Sequence, residues 1–423
     1  MTYFERARKL IADFKGPRYR FGFGVLGETG RMAVELGRRA LVVRDGFPGS
    51  DAAMETILDS LHAAGVEVVA VVDGAAPNAP LEDLARITEL LREHSPDVLV
   101  SFGGGSTIDC VKAAEVLRTL GGDIEEYFGM GLVTSKLASA GKRLTPHLAI
   151  QTASSSAAHL TKYSNITNVA TGQKKLIVDE AIVPDRALFD HEVTLTSPLS
   201  LTADGALDGL SHCLEVYYGA TGKANFGRVE EVGLTGIELV CRYLPRVTRE
   251  PDHREGREAL SLATDLGGYA IMLGGTNGAH LTSFSLVDIL SHGRACALMN
   301  PYYTVFYSPA VQQQLERVAD IASAVGLAPP VESRPAGRHL AEQVGTAIMR
   351  LEQQAGNPVT LGEVQGFSRG HVDRALTAAK NPQLRMKLEN MPVPLKAEQV
   401  DDFMGPVLEA AAVGEFGGIR NLS

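Results

Sequence analysis

The sequence predicts an α/β domain built on a doubly wound parallel sheet, followed by an all-α domain. Three observations carry this prediction: short apolar runs alternate with helical patterns in the first half, a glycine-rich turn joins one of these runs to a helix, and strand patterns nearly vanish after about residue 195. A chain of 423 residues is long enough for two domains. We therefore expect residues 1–195 to form the α/β domain and residues 196–423 to form the helical domain.

Continuous apolar runs mark the strands of the first half. Runs that do not alternate with polar residues are typical of strands buried on both faces of a parallel sheet, and they lie at 19–24, 39–43, 66–72 and 97–102. Helical patterns lie between them, at 29–37, 51–64 and 81–93. Further strands are expected at 148–152 and within 174–189.

Helical patterns fill the second half of the chain. They lie at 201–219, 229–244, 254–273, 309–325, 337–355, 371–379 and 397–412. Because strand patterns are nearly absent here, this half is expected to be a helical domain of its own.

Composition argues against several classes of protein. No run of about 18 apolar residues occurs, so we expect no membrane partner, and the stretch MTYFERARKLIADFKGPRYR lacks the apolar segment of a secretory signal. A net charge of −10 argues against nucleic acid as a partner. The four cysteines lie far apart in apolar surroundings and form no C-x-x-C pair. We expect them to be buried free thiols, which fits a cytoplasmic protein.

The turn after the run at 97–102 is the first candidate binding site. It contains Gly103, Gly104, Gly105 and Ser106, and a helix that carries Asp109 on its first turns follows directly. Consecutive glycines allow backbone N–H groups to approach a phosphate closely, and a helix N-terminus adds a positive field. Since glycine turns after strands are common, a turn without a ligand is the alternative interpretation.

Two further stretches offer groups to the same ligand. Asp45 follows the run at 39–43, where an acid can bind a ribose hydroxyl and repel a 2′-phosphate, which would favour NAD over NADP. Asp45 is equally a common turn residue before a glycine. The hydroxyl-rich stretch that contains Thr152, Ser155 and Thr161 is interpreted either as hydrogen bonding to the cofactor or as simple turn chemistry.

The helix predicted at 201–219 carries the second candidate site. Asp208 and His212 stand four residues apart, so their side chains project from neighbouring turns of one face. A carboxylate and an imidazole at this spacing can share a divalent metal, or can simply form a buried hydrogen bond. His280 and His292 are the further ligands that the same half of the chain offers.

With these motifs in place, the chain resembles the iron-dependent, or group III, alcohol dehydrogenases. The matching stretches, in chain order, are APNAPLED (76–83), GGGSTIDCVK (103–112), IQTASSSAAHLT (150–161), ALDGLSHCLEVY (206–217) and LSHGRACALMNPY (290–302). The resemblance implies a dinucleotide-binding domain over residues 1–195, a helical metal-binding domain over residues 196–423, and a homodimer or higher homo-oligomer.

The resemblance also implies roles for individual residues. Asp208, His212 and His292 match metal ligands, Gly103 to Ser106 would hold the pyrophosphate, and Asp45 matches the ribose-contacting acid. Members of the family usually carry two histidines four residues apart before the last ligand, of which the first is a ligand. In this chain Thr282 stands where the second is expected, and we expect Thr282 and His280 to act in catalysis. We assign His280 as the fourth ligand; if it takes the second histidine's catalytic role instead, three ligands remain and metal affinity falls.

The activity implied by the resemblance is hydride transfer between NAD(H) and a small alcohol or aldehyde. Fe(II) is the implied metal, while Zn, Mn, Co and Ni suit the same ligands. His159, Thr282, Ser283 and Ser285 suggest a polar or anionic substrate. Arg294 is interpreted either as pairing with an acidic group of the substrate or as capping a helix. A glycerol-type polyol dehydrogenase, a dehydroquinate synthase-like lyase and a non-catalytic nucleotide-binding protein are the alternatives. The lyase is disfavoured because residues 274–306 contain one arginine and no lysine to hold a substrate phosphate.

Overall fold

The structure is a computed structural model that describes residues 2–330 and 334–422. The chain divides into two compact units, one of Ile11–Pro198 and one of Met1–Leu10 together with Leu199–Ser423. The expected boundary at residue 195 therefore differs from the observed one by three residues, and the first ten residues group with the helical unit. At this end of the chain the ring of Phe4 packs edge-on against Tyr243, with ring centroids 5.6 Å apart.

The strands all lie in the α/β unit, as far as the chain is described. Their bounds are β1 (Tyr19–Gly22), β2 (Arg39–Arg44), β3 (Glu67–Asp73), β4 (Val98–Gly103), β5 (Gly129–Met130), β6 (His147–Gln151), β7 (Tyr163–Asn168), β8 (Gln173–Val178) and β9 (Arg186–Asp190). Six of them form a sheet in the order β1-β9-β6-β4-β2-β3, and each neighbouring pair is parallel. The predicted parallel sheet is thereby confirmed.

Strand order decides which runs are buried. All six residues of the interior strand β4 are buried, as the continuous apolar run predicts. Strand β3 has the same kind of sequence but lies at the sheet edge, and Val71 is 44 % exposed. The expectation that 66–72 is buried on both faces is therefore wrong, because an edge strand has a neighbour on one side only.

A second, small sheet is absent from the sequence-based prediction. It has the order β5-β8-β7, and β7 and β8 pair antiparallel around a turn that contains Gly172 at φ +62°. A left-handed residue of this kind closes a tight turn, for which glycine is the default. The sequence gives little indication of β7, because the polar stretch at 163–168 carries little apolar signal of its own.

Helices of the α/β unit connect the parallel strands. Their bounds are α2 (Thr29–Ala33), α3 (Ser50–Ala63), α4 (Leu81–His94), α5 (Gly105–Leu120) and α6 (Leu132–Ala140), while α1 (Tyr3–Lys15) opens the chain. A right-handed crossover through a helix is the usual way to join parallel strands of one sheet. The α5 helix starts directly after β4 and is buried from Thr107 to Val116.

The described part of the helical unit contains no strand, which confirms the predicted all-α region. Its helices are α7 (Leu199–Gly219), α8 (Phe226–Arg249), α9 (Arg254–Leu273), α10 (Gly278–Ser283), α11 (His292–Phe306), α12 (Gln312–Ala324), α13 (Arg338–Gln354), α14 (Arg369–Ala379), α15 (Arg385–Glu389) and α16 (Val400–Val413). Nearly every residue of α7 from Thr202 onward is buried, which is typical of a helix at the centre of a bundle.

The helices over residues 2–330 and 334–422 are all too short or too polar to span a lipid bilayer.

Candidate metal centre and nucleotide-binding loop

Three helices of the helical unit bring the predicted metal ligands together. Asp208 and His212 lie on α7, His280 on α10, and His292 is the first residue of α11. The Oδ1 atom of Asp208 lies 3.8 Å from Nε2 of His212, 3.5 Å from Nε2 of His280 and 3.9 Å from Nε2 of His292. Three imidazole nitrogens therefore surround one carboxylate oxygen.

The start of α11 is fixed against α7 by Asp204. This carboxylate accepts hydrogen bonds from the Ser291 hydroxyl at 2.7 Å and from Nε of Arg294 at 2.6 Å. A Cβ atom at Gly293 would lie 2.0 Å from the Asp204 carbonyl oxygen, so only glycine permits this close approach. These contacts hold His292 beside Asp208. Because the guanidinium of Arg294 is already bound to Asp204, the structure gives no support to the expectation that Arg294 pairs with an acidic substrate.

The polar atoms of this cluster fit a divalent cation. Asp208 Oδ1 and His280 Nε2 are buried, and neither makes a hydrogen bond with any described residue. Buried polar atoms in proteins are normally paired, so two unpaired ones that face each other need an explanation. Ligand atoms about 2.1 Å from a tetrahedral cation lie about 3.4 Å apart, close to the separations observed here. A cation between them would satisfy both atoms.

Glu215 orients His280 and was missed in the sequence analysis. Its Oε1 atom lies 2.5 Å from Nδ1 of His280, and its Oε2 atom accepts a hydrogen bond from the backbone N–H of Asn277 at 2.6 Å. A metal-binding histidine commonly holds its other ring nitrogen against a carboxylate in this way, which fixes the ring and its tautomer. The available signal was spacing, since Glu215 follows His212 by three residues on the same helix.

The packing around Gly278 explains why His280 supplies this imidazole. Position 278 lies four residues before Thr282, where the family resemblance places the first histidine of its pair. A Cβ atom at Gly278 would lie 2.3 Å from Cε1 of Tyr303 and 2.5 Å from the hydroxyl oxygen of Tyr307. No side chain fits there. The imidazole at the cluster instead belongs to His280, two residues later on the short helix α10.

Thr282, which was expected to act in catalysis, makes packing contacts. Its hydroxyl donates a hydrogen bond to the Gly278 carbonyl at 3.0 Å and lies 2.9 Å from the Tyr303 hydroxyl. The structure therefore brings Thr282 together with Tyr303 of α11, in the interior of the helical unit.

Electrostatics differ among the ligands of this cluster. At His280 the effect of burial is outweighed by Cys296 and Glu215, which raise its pKa above the ordinary value, so a cation there would displace a proton. Burial lowers the pKa of His212 to about 4, so its imidazole is neutral near pH 7, the form that binds metals. Burial opposes ionisation of Asp208, but the neighbouring histidines His212 and His292 outweigh it and hold the pKa of this carboxyl well below its ordinary value. The cluster thus offers one ionised carboxylate.

Cys296 is a further side chain at this cluster. Its Sγ atom lies 3.8 Å from Nδ1 and 3.9 Å from Nε2 of His292. Donor atoms of Asp208, His280, His292 and Cys296 all lie within 4.8 Å of one another. All four cysteines are free and buried, as expected, but the sequence analysis did not place one of them here.

The glycine loop of the α/β unit is built around Asp45. The Asp45 carboxylate accepts a hydrogen bond from the Gly104 N–H at 2.8 Å and another from the Thr107 hydroxyl. A Cβ atom at Gly103 would lie 2.7 Å from Oδ2 of Asp45, and one at Gly105 would lie 2.2 Å from the Ser156 hydroxyl oxygen. Glycine is therefore required at position 103, whereas a Cβ at position 105 would need the Ser156 hydroxyl to turn away. The loop presents backbone N–H groups at the start of α5.

Hydrogen bonds connect this loop to two neighbouring segments, one at Asn78 and one at Thr152. The Ser106 hydroxyl oxygen accepts a hydrogen bond from the backbone N–H of Asn78 at 3.0 Å. The backbone N–H of Thr152 donates to the Gly103 carbonyl at 3.2 Å, and the Ser155 hydroxyl accepts from Nε2 of Gln151, also at 3.2 Å. The structure thus brings Thr152 to the glycine loop, while Ser155 bonds Gln151 at the end of the neighbouring strand β6.

Asp109 and Thr161 serve the interior of the α/β unit instead. Oδ2 of Asp109 accepts hydrogen bonds from the backbone N–H of Asn165 at 2.9 Å and from its side-chain amide at 3.0 Å. The Thr161 carbonyl accepts from the buried ammonium of Lys112 at 3.0 Å. Both residues are at most 5 % exposed. We therefore do not retain Asp109 or Thr161 as contacts to a cofactor.

His159 does not line a substrate pocket, contrary to expectation. It is completely buried, its Nε2 atom lies 3.1 Å from the Tyr19 hydroxyl oxygen, and its ring packs edge-on against Phe189. Ser285 is likewise buried, and its carbonyl accepts hydrogen bonds from Arg374. Ser283 is different, because its hydroxyl lies 3.3 Å from Nδ1 of His292 and so remains beside the metal cluster.

Two family models cover most of the chain. The model described as iron-containing alcohol dehydrogenase matches residues 16–191, and the model for the C-terminal part of that family matches residues 202–403. The chain therefore belongs to the iron-containing alcohol dehydrogenase family, and the prediction of an oxidoreductase of this family is confirmed.

Relatives of the chain are named for several alcohols and for both nicotinamide cofactors. The chain is 28 % identical over 343 residues to the NAD-dependent methanol dehydrogenase of Bacillus methanolicus, with 80 % of this chain and 85 % of that one covered. It is 31 % identical over 319 residues to the NADPH-dependent butanol dehydrogenase of Clostridium saccharobutylicum, with 73 % and 76 % covered. The alcohol dehydrogenase of Oenococcus oeni has the same fold, with a TM-score of 0.79 at 23 % identity over 93 % of this chain and 98 % of that one.

Proposed function

We propose that this protein is a metal-dependent, NAD(H)-linked alcohol dehydrogenase or aldehyde reductase that acts on a small substrate. The observation that carries the proposal is the convergence of three imidazole nitrogens on one buried carboxylate oxygen in a chain of this family. A preference for polar substrates loses the support of His159 and Arg294, since the structure gives both of them partners within the protein. We therefore propose a small alcohol or aldehyde without restricting its polarity.

Asp208, His212, His280 and His292 would hold the cation. Three imidazoles and one carboxylate would leave a position open for a substrate oxygen on a cation that takes five or six ligands. When bound, the cation supplies Lewis-acid polarisation of the substrate alcohol or carbonyl. Glu215 keeps His280 in the tautomer whose Nε2 atom faces the site. We propose Fe(II) as the metal, since the family is named for it; metal analysis separates it from Zn, Mn, Co and Ni, which suit the same donors.

The glycine loop would hold the dinucleotide. Gly103, Gly104, Gly105 and Ser106 would bind the pyrophosphate at the start of α5, where the helix field favours an anion. A carboxylate has about four lone-pair positions, and the Gly104 N–H and the Thr107 hydroxyl use two of those on Asp45. Asp45 can therefore still accept a hydrogen bond from a ribose hydroxyl, and its charge would repel a 2′-phosphate, which supports NAD over NADP.

We further propose a cytoplasmic homodimer or higher homo-oligomer. Four buried free cysteines support a reducing compartment. Sedimentation velocity tests the assembly state, and a single monomeric species at micromolar concentration would refute that part of the proposal.

The test of the proposed function is NADH consumption with a panel of small aldehydes, before and after metal removal. We expect metal-dependent turnover with at least one aldehyde. Reduction of dihydroxyacetone in preference to every aldehyde would favour a polyol dehydrogenase. Release of phosphate from an added phosphorylated sugar acid, without net NADH change, would favour the lyase. Metal-loaded protein that consumes neither NADH nor NADPH with any aldehyde or ketone would refute a dehydrogenase.

A further inference from the structure

Helix α11 places a thiol one turn after a candidate ligand. His292 and Cys296 stand four residues apart, the same spacing as Asp208 and His212 on α7. Helices α7 and α11 therefore each carry two side chains of kinds that bind metals, and both pairs lie at the metal cluster. His292 is 20 % exposed, whereas Cys296 is completely buried. The sulfur therefore lies on the inner side of the cluster.

The distance from Cys296 to Nε2 of His292 is close to that in a metal–sulfur site. In zinc sites the metal lies about 2.3 Å from sulfur and about 2.1 Å from nitrogen, so a thiolate and an imidazole on one tetrahedral ion are about 3.6 Å apart. Sγ of Cys296 lies 3.9 Å from Nε2 of His292, and both residues belong to the group whose donor atoms fit within 4.8 Å. With a cation on Nε2 of His292, the bound sulfur would lie about 5 Å from Nδ1 of the same ring, whereas here that distance is 3.8 Å. The Cys296 side chain or the His292 ring therefore has to turn by about 1 Å for the sulfur to coordinate.

We propose that Cys296 is an additional donor to the metal at this site, a proposal that rests on the proposed function. Coordination would form one metal–sulfur bond and release the thiol proton to solvent, with no change of oxidation state. The group of four donors that includes Cys296 contains Asp208, His280 and His292 but not His212. A cation drawn toward the sulfur would therefore depend less on His212.

A sulfur donor changes which metals the protein selects. Thiolates prefer Zn(II) and Co(II) to the harder Mn(II), whereas imidazoles and carboxylates accept all three. We expect Cys296→Ala to weaken Zn(II) binding about tenfold or more. Mn(II) binding should change by less than about threefold, because this ion gains little from sulfur.

The test replaces the metal with Co(II) and records the absorption spectrum. The wild-type protein should show a near-ultraviolet thiolate-to-Co(II) charge-transfer band, which Cys296→Ala and Cys296→Ser should lose while still binding Co(II). Cys241→Ala is the matched control, since Cys241 is a buried thiol of the same unit that lines an apolar cavity with Leu210 and Ile237. This variant should keep the band.

A second readout needs no variant. X-ray absorption of the Zn(II)-loaded wild-type protein should show one sulfur at about 2.3 Å. Stoichiometric metal with no sulfur in the shell and no charge-transfer band would overturn the role of Cys296 and leave the proposed function standing. Wild-type protein that binds neither Co(II) nor Zn(II) would overturn both.

Discussion

The glycine loop and the metal cluster differ in how the chain satisfies their polar atoms. At the loop, both oxygens of Asp45 have donors, from the Gly104 N–H and the Thr107 hydroxyl. At the cluster, Asp208 Oδ1 and His280 Nε2 are buried and make no hydrogen bond with a described residue. The first site is complete as folded, whereas the second holds two buried polar atoms, 3.5 Å apart, that a cation would satisfy.

This difference predicts that a bound metal stabilises the cluster more than it stabilises the glycine loop. An unsatisfied buried polar group costs about 1–3 kcal/mol, so the metal-free cluster carries a penalty that the loop does not. Binding to the folded state alone stabilises that state by mass action. Metal removal should therefore loosen α7, α10 and α11, while hydrogen exchange at β4 and α5 stays unchanged.

The largest effect is expected from Asp208→Asn. The change keeps the size of the side chain but removes the one ionised carboxylate among the four predicted ligands, so metal affinity should fall by more than about 100-fold, and turnover with it. Metal content after dialysis and kcat/KM measure the two effects. Asp288→Asn, on a carboxylate that pairs with Arg374 in the same unit, is the control. Retention of stoichiometric metal by Asp208→Asn would contradict the site.

A smaller effect is expected from Glu215→Gln. Loss of the charge beside Nδ1 of His280 should lower metal affinity about 10–100-fold, because carboxylate partners of ligand histidines contribute about that much. Isothermal titration of the metal-free protein measures it. Glu231→Gln, whose carboxylate pairs with Arg228 at the surface, should bind metal like the wild type. Equal affinities in all three proteins would show that Glu215 plays no part in the site.

The loop is tested by Asp45→Asn. The amide keeps an acceptor but loses the charge, so the ratio of kcat/KM for NADPH to that for NADH should rise about tenfold, equivalent to about 1.4 kcal/mol of lost repulsion. Asp59→Asn, on the exposed side of α3, is the control. A ratio that stays at the wild-type value would remove Asp45 from cofactor selection.

The smallest effect on turnover is expected from Thr282→Val. Loss of the hydroxyl contacts to Gly278 and Tyr303 should destabilise the fold by about 1–3 kcal/mol and change kcat by less than about threefold. Thr264→Val is a matched control, since its buried hydroxyl also bonds a carbonyl one turn earlier. A collapse of kcat in Thr282→Val with unchanged stability would restore the catalytic role expected from the resemblance.

The sequence predicts what depends on local pattern. The parallel sheet, the helical second half and the pair Asp208 and His212 all follow from spacing within one element. The edge position of β3 depends on strand order, and the burial of His159 depends on Tyr19 and Phe189, which lie far away in the chain. Local pattern does not contain that information.

The same reason explains what was missed at the metal cluster. Glu215 and Cys296 sit at helical spacing from His212 and His292. Spacing alone does not reveal that Glu215 of α7 contacts His280 of α10, or that Cys296 of α11 lies near Asp208 of α7. The tight packing at Gly278 leaves no room for a side chain there, and it depends on Tyr303 and Tyr307, which lie outside α10. Residues that act through contacts between elements require the structure.

The most direct test of the metal cluster is an anomalous difference map from metal-loaded crystals, recorded at the absorption edge of the bound metal. We predict one strong peak, about 2–2.3 Å from Oδ1 of Asp208 and from Nε2 of His280 and His292. A peak elsewhere in the chain, or no peak from protein that was loaded with metal and consumes NADH, would contradict the central claim that this buried cluster is the metal site.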